Sequence, residues 1–357
     1  MAQLKTPRKE DSRAAADSGQ DGGRRALLAA CELGVFHVLA EAPGPLDLGA
    51  VTTRLGTSSH GTELLLDACV SLKLLTVEMR TAEAFYGNTE LPCTYLTSFG
   101  PKSQCHMLLY LSRTTYRCWG HLAEAVREGK NQYEKAFGIP SHDLFTAIYR
   151  VGMWDSVSDR FLVAKVHGRQ AGFPMFVGCS PDPTHRARGS SPCPICPIPG
   201  GSGALAGECT SLYPDAKVIV FDTPDVVRTV KKHFPVPAEG QIGFQEGDFF
   251  RDPLPEADLY ILARVPQDWA DPKCSALLAR VHRTCRPGGG VLAIERVPDE
   301  DRQGPLSTLL FSLNMLLQTE GRERSTSQCC ARLSSAGFGG FQLKKTGGFY
   351  DAMLARK

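Results

Sequence analysis

The stretch "FQEGDFFRDPLPEADLYILARV" (244–265) joins an acidic loop to a strongly apolar run, "ADLYILARV" (257–265). The apolar run predicts a strand buried inside an α/β sheet. Residues that follow such a strand lie at the carboxyl edge of the sheet, where open α/β folds bind their ligands. Here these residues are "PQDWADPKC" (266–274), and none of them readily accepts a proton at neutral pH. The stretch therefore predicts a ligand-binding edge and leaves open whether that edge catalyses a reaction.

Strands and helices alternate on both sides of this stretch, from about residue 203 to the end of the sequence. This alternation indicates a parallel sheet with helices on both faces. The last segment, "FGGFQLKKTGGFYDAMLARK" (338–357), predicts two strands joined by a Gly-rich turn. A terminal hairpin departs from an ordinary dinucleotide-binding fold and is typical of methyltransferases. We therefore predict an α/β Rossmann-like methyltransferase domain over residues 200–357.

The N-terminal part predicts a mainly α winged-helix domain over residues 25–102. Segment 45–75 predicts helix, turn and helix, with Ser58 or Ser59 as N-cap, and segment 76–90 predicts a small β-wing. The second helix, 61–75, carries Glu63, Asp67 and Lys73 and is otherwise apolar. DNA recognition requires cations for phosphates, so this composition disfavours it. The excess of apolar residues on this helix instead predicts that it is buried against a second copy in a homodimer.

Composition narrows the class of protein further. A net charge of +2 with 22% charged residues suggests neither nucleic acid nor a membrane surface as partner. Residues 1–24 are polar and predict a disordered leader without a secretory signal. No apolar run approaches the roughly 20 residues of a membrane span. Thirteen scattered cysteines indicate reduced thiols in a cytoplasmic protein.

One group of cysteines raises the question of a metal site. It comprises Cys179, His185, Cys193 and Cys196. The last two form a C-x₂-C pair, which is a common half of a zinc site. The other half has no well-known spacing, so we predict unpaired thiols and no metal.

Acidic and aromatic residues near strand ends suggest a nucleoside-bearing cofactor. Asp222 ends the strand "KVIVFD" (217–222), where an acid can accept hydrogen bonds from ribose hydroxyls. Asp248 ends a later strand and could accept from an exocyclic amine, while Phe249 could stack on a purine. Met107, Tyr110, Tyr116, Trp119 and Tyr149 could line an aromatic substrate pocket or pack in a core.

Five stretches carry a resemblance to a known family. They are "AACELGVFHVLAEAPGPLD" (29–47), "HGTELLLDACVSLKLL" (60–75), "YRCWGHLAEAVREGKNQY" (116–133), 244–265 and "LNMLLQTEGRER" (313–324). The chain resembles the S-adenosylmethionine-dependent small-molecule O-methyltransferases, and among them the acetylserotonin (hydroxyindole) O-methyltransferase family, over roughly 26–150 and 200–357. The resemblance implies a homodimer, S-adenosyl-L-methionine as cofactor, and methylation of N-acetylserotonin and related hydroxyindoles, with melatonin as the product from N-acetylserotonin.

The resemblance also assigns residues by position. It implies that cofactor-binding residues are Tyr149, Gly201, Gly203, Asp222, Gly247, Asp248, Phe249 and Arg264. It implies that Asp268, Asn314 and Gln318 meet the indole substrate. At the catalytic position the family has a His before the Asp, and this chain has Gln267. Glu295 and Glu323 match the acids that orient the catalytic base in related plant enzymes.

Two departures from the family affect the expected activity. Gln267 can form hydrogen bonds but cannot accept a proton near neutral pH. The cofactor loop reads "CPIPGGSGAL" (196–205), with Pro197 in place of an acid and Pro199 in place of the first glycine. Because proline cannot donate to a sheet, we expect 193–199 to pair poorly. Residues 151–192 do not resemble the family. They are either a genuine insertion or flexible lid, or the product of an alternative exon, a shifted reading frame or an error in the gene model.

These observations predict five segments: a leader at 1–24, the winged-helix domain at 25–102, substrate-lining helices at 103–150, a divergent Pro-rich segment at 151–199 and the catalytic domain at 200–357. The leading hypothesis is an O-methyltransferase impaired by Gln267. The alternatives are an inactive homologue that retains the dimer fold and a winged-helix DNA-binding protein.

Overall fold

A computed structural model describes residues 9–97, 103–138, 194–199, 201, 203–233 and 240–357. The chain divides into two compact units, Met1–Arg113 and Thr114–Lys357. Tyr149 and nearly all of the divergent segment lie outside the described residues, as do three of the four residues considered for zinc. None of the described helices is long and apolar enough to cross a membrane.

Unit 1, Met1–Arg113, has the predicted winged-helix arrangement. Its helices are α1 (Lys9–Leu33), α2 (Val35–Glu41), α3 (Leu48–Leu55), α4 (Ser59–Ser71), α5 (Glu90–Tyr95) and α6 (Cys105–Tyr110). Its strands β1 (Leu46–Asp47), β2 (Leu75–Arg80) and β3 (Glu83–Asn88) form an antiparallel sheet in the order β1-β3-β2. Ser58 caps α4 by accepting from the Gly61 N–H at 3.2 Å. The helix pair and the β2–β3 wing are therefore confirmed.

Helix α1 begins inside the segment 1–24, for which the sequence predicts a disordered leader. Helix α1 begins at Lys9 and continues without a break into the apolar segment that starts at residue 26. Three consecutive alanines at 14–16 favour the helix because alanine loses the least free energy in helical backbone. The low apolar content of this segment thus did not prevent helix formation.

Unit 2, Thr114–Lys357, contains a seven-stranded sheet. Its strands are β4 (Pro194–Pro197), β5 (Lys217–Asp222), β6 (Ile242–Glu246), β7 (Ala257–Ala263), β8 (Cys285–Glu295), β9 (Gly339–Lys344) and β10 (Asp351–Arg356). They lie in the order β6-β5-β4-β7-β8-β10-β9, with β10 antiparallel to both of its neighbours and the first five parallel. The Rossmann-like sheet with a terminal hairpin is therefore confirmed.

The helices of unit 2 include the connections between these strands. They are α7 (Tyr116–Trp119), α8 (Leu122–Glu128), α9 (Tyr133–Phe137), α10 (Ala204–Leu212), α11 (Pro224–His233), α12 (Asp271–Thr284), α13 (Leu306–Gln318) and α14 (Thr326–Ser335). A π-helical turn, Leu111–Thr115, precedes α7, and a 3₁₀ turn, Pro266–Asp268, follows β7.

Strand β7 shows why the opening stretch is apolar throughout. Tyr260 and Leu262 are buried in one core cluster, together with residues of α12. Leu259 and Ile261 are buried in a second cluster, together with residues of β5 and α10. Because side chains alternate between the two faces of a strand, both faces of β7 must be apolar. The strand therefore ends at the carboxyl edge of a buried sheet.

Strand β4 forms despite its prolines, so the expectation of poor pairing is only partly correct. It is buried between β5 and β7, and its pairing with β7 runs from Ile195 to Pro197. Its pairing with β5 stops at Ile195. The Ile198 N–H donates to the Ile261 carbonyl of β7 at 2.9 Å, so position 197 would direct an N–H towards β5. Proline has no N–H, and the pairing with β5 ends there.

Candidate active site

Three polar residues from distant parts of the chain meet at the carboxyl edge of the sheet. Gln267 lies on the 3₁₀ turn after β7, Glu295 is the last residue of β8, and Glu323 follows α13. Their exposed fractions are 3%, 4% and 5%. Such burial of carboxylates is costly unless neighbours compensate, and it is concentrated at functional sites. The three residues that the sequence assigned to catalysis are therefore brought together.

The amide of Gln267 bridges the two carboxylates. When its nitrogen faces them, it donates to Glu323 Oε1 and to Glu295 Oε2, each at 3.3 Å. Glu295 also accepts from the backbone N–H of Val265 at 3.1 Å. An amide that donates both hydrogens in this way has a fixed orientation, and its carbonyl oxygen points away from the carboxylates. The cluster can thus present a hydrogen-bond acceptor in a defined direction.

The two carboxyl groups hold protons more tightly than exposed ones. Burial raises the pKa of Glu295 well above its ordinary value, and the charges of Glu323 and Asp268 raise it further. Burial also raises the pKa of Glu323 to about 8, although Arg296 acts in the opposite direction. At neutral pH the edge therefore carries less negative charge than its three acids suggest.

The residues assigned to the indole substrate form a second polar group. Asn314 and Gln318 lie one turn apart on α13, and Gln318 Nε2 donates to Asn314 Oδ1 at 2.6 Å. Asn314 Oδ1 also accepts from the indole N–H of Trp119 at 3.1 Å. Gln318 Nε2 contacts Thr115 Oγ at 3.2 Å. Trp119 was predicted as a candidate aromatic, but the sequence offered no signal for Thr115, which is brought in by the π-helical turn.

Asp268, also assigned to the substrate, is adjacent to Gln267 on the 3₁₀ turn and is 9% exposed. Its backbone N–H donates to the Val265 carbonyl at 3.0 Å, which closes the turn. Both side chains of the pair therefore start from one rigid piece of backbone.

Asp222 organises the edge where a cofactor was predicted. Its carboxylate accepts from the N–H of Gly201 at 3.0 Å and from the N–H of Thr223 at 2.7 Å. Its carbonyl accepts from the N–H of Gly247 at 2.9 Å. Gly201 and Gly203 have φ angles of 55° and 80°, which glycine adopts without strain. The strand end and the glycine loop are thus connected as the sequence predicted.

At this edge the backbone approaches a buried aromatic ring closely. A Cβ at Gly247 would lie 2.7 Å from the Phe221 ring, so only glycine allows this close approach of the backbone. Among the described residues, the buried Thr223 Oγ and Arg264 Nε have no hydrogen-bond partner. Arg264 has a left-handed φ of 59°. The orphaned Thr223 Oγ, next to Asp222, and the orphaned Arg264 Nε, just after β7, fit a ligand that supplies hydroxyl and carboxylate groups.

Two predicted cofactor residues behave differently from each other. Asp248 remains accessible, with a side chain 44% exposed that accepts from the Phe250 N–H at 2.8 Å. Phe249 is only 8% exposed, and its ring packs on Phe250 and Trp269 at centroid distances of 4.7 and 6.0 Å. This packing gives no support to the prediction that Phe249 stacks on a purine, because aromatic core contacts occupy its ring.

The described part of the chain contains no cluster of three or more His, Cys, Asp or Glu residues able to hold a metal ion. Cys196, one of the four residues considered for zinc, is fully buried in β4 and packs in the core. The other three lie outside the described residues.

Comparison with known proteins agrees with this architecture. A family model of the O-methyltransferase domain matches residues 191–339, and one of the O-methyltransferase dimerisation domain matches residues 24–98. Acetylserotonin O-methyltransferase of Homo sapiens is 59% identical over 338 residues, which cover 93% of both chains. The Macaca mulatta enzyme of the same name is 56% identical over 366 residues, which cover 95% of this chain and 99% of that protein.

The solved structure of human N-acetylserotonin methyltransferase in complex with SAM matches the fold with a TM-score of 0.84. Its sequence is 54% identical, and the match covers 99% of both chains. Identity at this level over nearly the whole length includes both units and the edge that holds Gln267. The chain therefore belongs to the acetylserotonin O-methyltransferase family of O-methyltransferases.

Proposed function

We propose that this protein transfers a methyl group from S-adenosylmethionine to the 5-hydroxyl of N-acetylserotonin, yielding melatonin, and that Gln267 slows the reaction. The similarity to acetylserotonin O-methyltransferases over more than nine-tenths of the chain carries the assignment of activity. The position of Gln267 between Glu295 and Glu323 carries the expectation of impairment. Related hydroxyindoles are expected as further substrates.

The cofactor would bind at the edge formed by β4, β5 and the loop after β6. Asp222 would accept from ribose hydroxyls, and the backbone at Gly201, Gly203 and Gly247 would allow close approach. Asp248 would accept from the adenine amine, and Arg264 would use its orphaned Nε on the carboxylate. The bound cofactor supplies an electrophilic methyl group on a sulfonium. Pro197 removes the acid that the family has in this loop, so we expect weaker binding than in relatives with that acid.

The substrate would bind near α13, where Asn314 and Gln318 offer amide groups and Asp268 offers a carboxylate. The Gln267 carbonyl would accept a hydrogen bond from the substrate hydroxyl and hold it in line for attack. This positioning contributes to the rate by itself. Gln267 cannot take the proton, which must leave to Asp268 or to water.

A positioned base typically contributes ~10²–10⁴-fold to a rate. That factor corresponds to about 3–5 kcal/mol of activation free energy. Asp268 is expected to be a poor substitute, because a carboxylate is in general a weaker base than an imidazole. The protein is therefore expected to be slow rather than devoid of activity.

The Gln267→His variant tests this account. Transfer of labelled methyl to N-acetylserotonin should rise by about 10²–10⁴-fold in kcat, since a base is restored between two carboxyl groups. The pH–rate profile should gain a limb near a histidine pKa of ~6.5. A Gln267→Asn variant serves as the control, because it retains an amide and gains no base. Equal rates for the original protein and Gln267→His would contradict the assigned role of position 267.

A second candidate is an inactive homologue that retains the fold, which Gln267 and Pro197 together favour. Calorimetric titration with S-adenosylmethionine separates the two. Micromolar binding supports the methyltransferase, whereas absence of binding supports the inactive homologue.

The protein is also proposed to act as a cytoplasmic homodimer. The match of residues 24–98 to a dimerisation domain supports the dimer. Helix α4, the counterpart of a recognition helix, contains neither Lys nor Arg, so we expect no binding to nucleic acid.

A further inference from the structure

Arg324 is the most deeply buried guanidinium near the site, with a side chain only 3% exposed. Its Nη1 donates to the Pro266 carbonyl at 2.6 Å, and its Nη2 donates to the Trp269 carbonyl at 2.8 Å. These two carbonyls flank Gln267 and Asp268. One buried cation therefore spans the backbone that carries both residues.

The same side chain is anchored at its other edge by Asp271, the first residue of α12. Its Nε and Nη2 both donate to Asp271 Oδ1, at 3.1 and 2.8 Å. The carboxylate compensates part of the cost of burying the charge. Arg324 thus connects the 3₁₀ turn after β7 to the start of the next helix.

The backbone at Gly321, near Arg324, lies in close contact with the same turn. A Cβ built at Gly321 would lie 1.9 Å from the Gln267 carbonyl oxygen and 2.6 Å from the Trp269 nitrogen. The segment that begins at Gly321 therefore lies in direct backbone contact with 267–269. Arg324 and Gly321, three residues apart, therefore both contact this turn.

Only arginine can make this set of contacts. The acceptors lie in different directions, and a guanidinium offers five N–H donors in a rigid planar fork. A lysine ammonium is a compact point charge on a flexible stem, and it could satisfy one carbonyl while leaving another buried and unpaired.

We propose that Arg324 is a positioning residue that holds Gln267 and Asp268 at the carboxyl edge of the sheet, and that its hold determines turnover rather than affinity for the cofactor. This inference deepens the proposed function and rests on it. The described hydrogen bonds of Arg324 to this turn go to the carbonyls on either side of the two residues, and it acts through them.

Arg322 provides a matched control. Its Nη2 contacts Asp271 Oδ2 at 3.3 Å, yet its side chain is 53% exposed and has no described contact with the carbonyls of 266–269. Arg322→Lys and Arg324→Lys therefore make the same chemical change beside the same carboxylate. They differ in whether the turn after β7 loses its donors.

The experiment compares both variants in the original protein and in the Gln267→His background. We expect Arg324→Lys to lower kcat by about 10²-fold with Gln267→His, because a misplacement of about 1 Å can have that effect. The effect should be smaller with Gln267, where there is no base to misplace. The affinity for S-adenosylmethionine, measured by calorimetry, should change less than about twofold, and Arg322→Lys should leave kcat within about twofold.

A second measurement does not depend on activity. Backbone N–H groups of Asp268 and Trp269 donate within the turn, so hydrogen exchange reports its opening. Arg324→Lys should speed exchange at 268–269 by about tenfold or more and leave strand β8 unchanged. Asp271→Asn, which loosens the anchor while retaining both carbonyl contacts, should give a smaller increase, and it replaces Arg324→Lys should that variant not fold.

The outcomes separate the two claims. Loss of methyl transfer and of cofactor binding in every background would overturn the proposed function, while the exchange measurement would still test the hold on the turn. If Arg324→Lys and Asp271→Asn changed neither exchange at 268–269 nor kcat in Gln267→His more than Arg322→Lys does, the inference about Arg324 would be refuted.

Discussion

At the scale of single residues, the site is dominated by the cost of burying acids. Glu295 and Glu323 lie buried near Asp268, and nearby arginines compensate only part of the charge. An amide between them is compatible with either charge state, because its N–H groups can donate to carboxylate oxygens or to the carbonyl oxygens of protonated carboxyls. Gln267 therefore preserves the structure of the edge while removing its proton acceptor.

Glu323 is expected to make stability depend on pH. Its pKa is about 8 in the folded protein against an ordinary 4.5, so the folded state binds this proton more tightly. The stabilisation is complete below about pH 4.5 and is lost as the pH rises towards 8. In Glu323→Gln, which cannot ionise, this loss disappears.

Urea unfolding of both proteins at pH 5 and pH 8 measures this effect. From pH 5 to pH 8, the unfolding free energy of Glu323→Gln should rise relative to that of the original protein. A difference that is the same at pH 5 and pH 8 would show that Glu323 ionises normally in the folded state.

At the scale of elements, β4 illustrates how one missing N–H changes a sheet. The strand is buried on both sides, yet its pairing with β5 lasts two residues and its pairing with β7 lasts three. The cofactor loop starts from this strand, so a shorter connection to β5 also loosens the support of Gly201 and Asp222. Pro197 thus affects both the sheet and the predicted cofactor edge.

Pro197→Val should therefore stabilise the protein. A restored N–H can satisfy a buried acceptor, which is worth ~1–3 kcal/mol. Loss of proline's rigidity in the unfolded chain offsets ~0.4–1 kcal/mol of this gain. We expect a net increase of about 1 kcal/mol in unfolding free energy. Chemical denaturation measures it. A decrease for Pro197→Val would show that β5 has no acceptor in need of a donor.

At the scale of the whole molecule, exposed apolar side chains are concentrated in unit 1. Seven of the twelve large hydrophobic residues exposed in the described ranges belong to it: Leu33, Leu64, Leu72, Val77, Met79, Leu91 and Tyr95. Unit 1 contains 100 of the 281 residues that the structure describes. Such an excess marks an association surface, in agreement with the dimerisation-domain match over 24–98.

Leu64→Glu is expected to weaken the dimer. Leu64 is 59% exposed on α4, between Glu63 and an outward-facing Asp67, and a third acid there would be buried beside two others on association. Light scattering coupled to size-exclusion chromatography should show a shift to monomer at micromolar concentration. Val126→Glu, with a comparable exposure of 62% in unit 2, should leave the mass unchanged. A dimer that persists in Leu64→Glu would place the interface elsewhere.

The sequence by itself determined the helices and strands, because the spacing of apolar residues along a helix or a strand is a local property. The buried strand, predicted over 257–265 and observed as Ala257–Ala263, follows from its apolar run. The terminal hairpin and the helix pair with its wing follow from apolar spacing and turn residues. The polar residues at strand ends, including Asp222 and Gln267, also follow, since the end of a parallel strand lies at one known edge. The prolines of β4 were visible, although their effect was limited to one side of the strand.

Only the tertiary structure decided which residues face one another across that edge. Gln267, Glu295 and Glu323 belong to three separate segments, and no local period relates them; the resemblance to a family named them, and the fold brought them within hydrogen-bond distance. The burial of the Phe249 ring and of the Arg324 guanidinium was equally invisible beforehand. Side-chain burial depends on packing between elements far apart in sequence, and local patterns do not encode that packing.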